Sequence, residues 1–89
     1  MIATIEISMY PLTEQYEQKV IDFIQQIKKH PGVKVETNGL STQLFGEYDL
    51  LMDLLKNEMK HVFDNTKAVF ALKIAGNELT REKLPEILK

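Results

Sequence analysis

Apolar and polar positions alternate from Ile2 to Tyr10, with Ala3, Ile5, Ile7 and Met9 on one side and Thr4, Glu6, Ser8 and Tyr10 on the other. A period of two is that of a strand with one wet face. Pro11 has no amide proton to give a ladder and ends it. The period then lengthens: Tyr16, Val20, Phe23, Ile24 and Ile27 recur at helical spacing. Thr13 is placed to cap this helix, Glu14 and Glu17 follow it, and Lys28 and Lys29 suit the negative end near His30, where Pro31-Gly32 stops it. Alternation returns on both sides of Asn38-Gly39, the dipeptide best suited to the positive φ angles of a type I′ hairpin turn. With those two residues central, Thr37 faces Leu40, Val35 faces Thr42 and Val33 faces Leu44, while Glu36 faces Ser41 and Lys34 faces Gln43 on the other side.

Gly46 closes the third strand, and Glu47 with Asp49 places negative charge at the start of a second helix carrying Leu51, Leu54, Leu55, Val62 and Phe63. Asp64-Asn65-Thr66 reads as a turn. Lys67 to Ile74 alternates again, Gly76-Asn77 breaks that strand, and Thr80 is placed to cap a short C-terminal helix containing Leu84, Ile87 and Leu88. The order strand, helix, strand, strand, helix, strand is that of the α+β ferredoxin-like β-α-β-β-α-β sandwich. Its antiparallel sheet has the order 4-1-3-2, with both helices on one face. The other face is expected to be open and to carry Thr4, Glu6, Ser8, Tyr10, Lys34, Glu36, Ser41, Gln43, Phe45, Val69, Ala71 and Lys73.

Residues 1–89 make one domain, small enough that its core is often completed by a second copy. A formal charge of -2 and a single arginine, Arg81, supply no cationic field for a nucleic-acid backbone. No cysteine is present, which removes disulfides, thiolate metal sites and thiol nucleophiles. The start of the chain lacks the apolar run of a signal peptide, and no later stretch is long and apolar enough to span a bilayer. The chain therefore reads as soluble and cytoplasmic, without direct membrane insertion.

Ser41 and Thr42 have no histidine near them in sequence, and a hydroxyl nucleophile needs an adjacent base. His30 and His61 stand among charged helical neighbours without a second ligand at metal-binding spacing, so neither a metal site nor a catalytic residue is expected. Glu6, on a central strand, either pairs with Lys73 or contacts a ligand. Tyr10 and Phe45 at strand ends, with Asn38, Ser41 and Thr42 near the hairpin, suit a planar, nitrogen-rich heterocycle. The same set suits hairpin hydrogen bonds and aromatic packing at a subunit contact equally well.

The stretch Glu6-Ile7-Ser8-Met9-Tyr10-Pro11-Leu12, followed by Leu40-Ser41-Thr42-Gln43-Leu44-Phe45-Gly46 and the acid Glu47, resembles the YkoF-like thiamine-binding family and its single-domain relatives, over most of the chain from Ile2 to about Ile74. The resemblance implies a domain that assembles through its sheets, as a homodimer or homotetramer. It also implies non-catalytic binding of thiamine or its hydroxymethylpyrimidine moiety, as a ligand and not a cofactor, in thiamine salvage, transport or sensing. Carried onto this chain, the binding positions are Ser8, Tyr10, Ser41 and Thr42, with Asn38 and Glu47 flanking them. The segment Ala75-Gly76-Asn77-Glu78-Leu79 departs from the more basic, glycine-containing stretch of many single-domain relatives. A homo-oligomeric interaction domain without a small ligand is the alternative.

Overall fold

The computed structural model describes residues 1–89, and its elements follow one another as β1 (Ile2–Pro11), α1 (Tyr16–Lys28), β2 (Lys34–Thr37), β3 (Thr42–Glu47), α2 (Tyr48–Asn65) and β4 (Ala68–Ala75), with single 3-10 turns at Arg81–Lys83 and Glu86–Leu88. The four strands form one antiparallel sheet in the order β2-β3-β1-β4, which is 4-1-3-2 read from the other edge. The β-α-β-β-α-β arrangement expected from the hydrophobic periods is the one present. The core lies between the sheet and the two helices, where Ala3, Ile5, Ile7 and Leu44 meet Phe23 and Ile27 of α1 and Leu51, Leu54 and Leu55 of α2. Ile5, Ile27, Leu44, Leu51 and Leu55 are completely buried, and each contributes about 1.5–3 kcal/mol by leaving water.

Local chemistry sets the ends of the elements, and several differ from expectation. Glu47 caps α2 with its own side chain, Oε2 accepting from the Leu50 N–H at 3.1 Å. The capping position of α1 is Gln15 and not Thr13; the Thr13 Oγ1 instead accepts from the Gln15 N–H at 3.4 Å, closing a turn just before the helix. Helix α2 continues through Asn65, so the turn expected at Asp64-Asn65-Thr66 is confined to its last residue. Gly46 is required by close approach, because a Cβ there would lie 2.8 Å from the Gly32 carbonyl oxygen. Gly32 itself has φ +84°, the left-handed conformation that glycine adopts without steric cost.

The hairpin is centred two residues later in pair sum than a type I′ Asn-Gly turn requires. Thr37 pairs with Thr42, Glu36 with Gln43 and Val35 with Leu44. No residue but Gly32 has positive φ, which excludes the type I′ conformation. The cause is the Asn38 side chain: its Oδ1 accepts from the N–H groups of Leu40 at 2.8 Å and Ser41 at 3.1 Å, while the Asn38 N–H donates to the Ser41 carbonyl at 3.0 Å. Asn38 thus closes the turn from its first corner, with Gly39 and Leu40 in the middle. A shift of two preserves which side each residue faces, so the expected split between the sheet's two faces survives.

The face away from the helices is only partly open. After Gly76 the chain folds back across it: the Thr4 Oγ1 donates to the Asn77 carbonyl and accepts from the Leu79 N–H, both at 2.9 Å. Thr4, Phe45 and Thr80 are buried in consequence. No continuous C-terminal helix forms, because Pro85 separates the two 3-10 turns. Toward the Tyr10 end the face remains uncovered, and Tyr10, Val69 and Ala71 are exposed.

Candidate functional site

Antiparallel pairing decides which of the expected site residues can meet. Ile7 lies opposite Thr42 and Thr4 opposite Phe45, so the C-terminal end of β1 stands beside the beginning of β3, next to the hairpin. Ser8 and Tyr10 are thereby brought to Asn38, Ser41 and Thr42, and these five residues share one cleft with Val20 and Ile24 of α1. Its volume is about 180 Å³. Glu47 and Phe45 fall at the opposite end of β3, opposite Ile2 and Thr4. Tyr10 and Phe45 therefore share a face but do not meet: Phe45 stands opposite Thr4, six residues along β1 from Tyr10, about 20 Å away at about 3.3 Å per residue. The sequence places both at strand ends, but the direction of pairing makes them different ends.

The cleft has a polar wall and an apolar floor. Ser8, Tyr10 and Ser41 belong to the open face, whereas Thr42 points to the helix side, where a narrow apolar crevice between α1 and the sheet is lined by Ile7, Val20, Ile24 and Leu44. The buried Thr42 Oγ1 is 3.1 Å from the Thr37 Oγ1, so one hydroxyl proton is shared inside that pair. Tyr10 is 55% exposed, leaving a ring face free to stack.

Ser41 is not an unassisted hydroxyl, as its sequence neighbours suggest. Its Oγ donates to Glu6 Oε2 at 3.1 Å, across 35 residues of chain. Glu6 also stands 3.9 Å from Lys73 Nζ through its other oxygen, but that lysine is 87% exposed, and an ion pair in water at such separation contributes little. Glu6 is the residue whose proximity to the cleft the sequence did not disclose. The alternation of β1 put it on the same face as Ser41, and only the register made them partners. The nearest backbone donors of the hairpin, Leu40 N–H and Ser41 N–H, are both occupied by Asn38.

Glu47 has a different task. Its carboxyl is held below the usual range chiefly by the Leu50 N–H, with smaller help from the Asp49 N–H and the terminal ammonium, against a desolvation that works the other way. The Met1 ammonium lies 3.5 Å from Glu47 Oε1. The larger groove between α1 and α2, about 390 Å³, is lined by Lys19, Asp22, Lys29, Glu58 and His61 and contains none of the six expected site residues. Its charged side chains are those of two solvated helix flanks, and His30 Nε2 lies 3.4 Å from Glu58 Oε1 nearby.

Comparison with known proteins bears on the whole domain. A family model described as the YKOF-related family matches residues 2–78. A candidate thiamine biosynthesis/salvage protein of Thermotoga maritima superposes with a TM-score of 0.81 at 23% identity, over 93% of this chain and 94% of that one. A hypothetical protein of Methanocaldococcus jannascii superposes with a TM-score of 0.75 at 30% identity, over 92% and 90%. A Streptococcus pneumoniae protein does so with a TM-score of 0.77 at 23% identity, over 99% and 98%. No curated protein sequence matches.

Proposed function

Because the chain belongs to the YKOF-related family, we propose that it binds thiamine or its hydroxymethylpyrimidine moiety without chemistry on it, serving salvage, transport or sensing of the vitamin. The observation that carries this reading is the cleft itself, which gathers two serines, two threonines, an asparagine and an exposed tyrosine ring around one apolar floor. A pyrimidine is recognised by such a set: the ring stacks on an aromatic face while hydroxyls and amides address its edge nitrogens. Ser41 donates its proton to Glu6, so it turns oxygen lone pairs outward, toward an amino substituent. The Glu6 carboxylate behind it suits a cationic ligand.

Non-catalytic binding is supported by the state of the hydroxyls. A nucleophile needs a base near neutral pKa, and no histidine lines the cleft. An acyl or phosphoryl intermediate needs a set of free N–H donors, and the Leu40 and Ser41 N–H groups of the hairpin are taken by Asn38.

A cleft of about 180 Å³ is below the roughly 300–1,000 Å³ typical of sites enclosing a whole drug-sized molecule. It accommodates one ring, with the remainder of thiamine outside or covered by a second subunit. The homo-oligomer belongs to this reading for that reason.

Calorimetric titration with thiamine and with hydroxymethylpyrimidine tests it. We expect saturable binding, weakened about tenfold by Ser8→Ala and by Tyr10→Ala, the effect of losing about one good contact each. Absence of heat from either compound at millimolar concentration overturns it in favour of an oligomeric domain without a small ligand.

A further inference from the structure

Strand β1 outruns its neighbour on one side. It pairs with β4 from Thr4 to Pro11, but with β3 only from Ile2 to Ile7, where Thr42 is the last partner before the hairpin turns away. Two bonds just outside the ladders fix which edge each residue uses: the Leu12 N–H donates to the Lys67 carbonyl at 2.8 Å, and the Tyr48 N–H to the Met1 carbonyl at 2.9 Å. Residues that exchange hydrogen bonds alternate in an antiparallel ladder. Thr4, Glu6, Ser8 and Tyr10 therefore turn their N–H and C=O groups to β4, and Ala3, Ile5, Ile7 and Met9 turn theirs to the side of β3.

Met9 is the residue this arrangement leaves out. The continued register sets Leu40 opposite it, but the Leu40 N–H is held by the Asn38 side chain at 2.8 Å, and Leu40 is 93% exposed. Neither the N–H nor the C=O of Met9 has a partner within the chain, and Met9 lines the same cleft as Ser8, Tyr10, Asn38 and Ser41. The next residue to face this edge is Pro11, which has no amide proton to continue a ladder. The edge thus offers a single donor, with the acceptor of the same residue beside it.

We propose that the Met9 backbone reads the edge of an amino-substituted nitrogen heterocycle: its N–H donates to a ring nitrogen, and its C=O accepts from the amino group on the adjacent carbon. Such an edge sets an acceptor and a donor side by side, as the next residue of β3 would have done. The ring takes that residue's place. This recognition presupposes the pyrimidine site proposed above and specifies which edge of the ring is bound, and by which atoms. Val20 and Ile24 of α1 stand below the cleft, so the two bonds form beside an apolar floor, where a backbone group without a partner is costly. A peptide strand is the poorer occupant, because Pro11 denies it a second donor. A ring without the amino group leaves the Met9 carbonyl unpaired, and binds less well for that reason.

The chain has 4 methionines, and Met1 carries the terminal ammonium, so 15N-methionine labelling of the full chain leaves amide signals from Met9, Met52 and Met59 alone. Met52 and Met59 lie within α2 and serve as internal controls, and Met9→Leu assigns the remaining signal. In the free protein the Met9 amide is expected to exchange with solvent at least about tenfold faster than the other two, as an N–H without a partner does. Saturation with 4-amino-5-hydroxymethyl-2-methylpyrimidine should move the Met9 signal downfield and slow its exchange about tenfold, leaving the α2 signals in place. The same pyrimidine without its amino group should bind about tenfold more weakly by calorimetry, the loss of about one hydrogen bond. Calorimetric binding with an unmoved Met9 signal overturns the proposal and leaves the thiamine reading standing, as does equal affinity for the two pyrimidines. Protection of the Met9 amide in the free chain also overturns it, and absence of heat from every pyrimidine retires both.

Discussion

Glu47 illustrates how a residue proposed for ligand binding can be consumed by structure. Both carboxylate oxygens are engaged, one by the Leu50 N–H at the start of α2 and the other by the terminal ammonium. These contacts lower its pKa, so the charged form is favoured in the fold. The stabilisation is present above the ordinary value near 4.5 and is lost as pH falls through the lower folded value. Glu47→Gln is therefore expected to melt below the parent at neutral pH, with the gap closing as the pH is brought under 4.5; a gap that stays constant in thermal melts across that range would show that the charge is immaterial. At this scale the motif residues themselves were legible, since Ser8, Tyr10, Asn38, Ser41 and Thr42 meet in one cleft. What the sequence did not disclose was the Glu6 bond to Ser41, because proximity across 35 residues is a property of register and not of local pattern.

The periodicities of two and about 3.6 identified every strand and both main helices, because the burial of one face of each is what the core demands. The hairpin turn was misplaced for an equally physical reason. Backbone preference favours Asn-Gly at the centre, but the Asn38 side chain satisfies two amides when it stands at the corner. The return of the C-terminal segment over the sheet was invisible for want of any period, since it depends on one hydroxyl more than 70 residues away. Thr4→Val keeps the shape of that side chain and deletes both its hydrogen bonds, leaving the Leu79 N–H and Asn77 C=O without their partner. At about 1 kcal/mol per bond, release of the segment should become roughly tenfold or more easier. Limited trypsinolysis after Arg81 and Lys83 should accelerate by a similar factor, and unchanged cleavage would mean that the segment is held by other contacts.

For the molecule as a whole, only 14 of 89 residues are buried, while Tyr10, Val69, Ile74 and Phe63 remain exposed, and the proposed homo-oligomer would cover part of that apolar surface. No helix is long and apolar enough to cross a membrane. Sedimentation at micromolar concentration should give a dimer or a tetramer, and a monomer there would refute assembly in either form.

The strap that Thr4 holds over one end of the sheet dictates how any stacking must look. Two such surfaces laid back to back cannot eclipse one another, for the segment from Asn77 to Leu79 is already bonded across the Thr4 end of the face. They must slide toward the Tyr10 end, like overlapping slates, and the footprint they share becomes the strip that borders the two clefts.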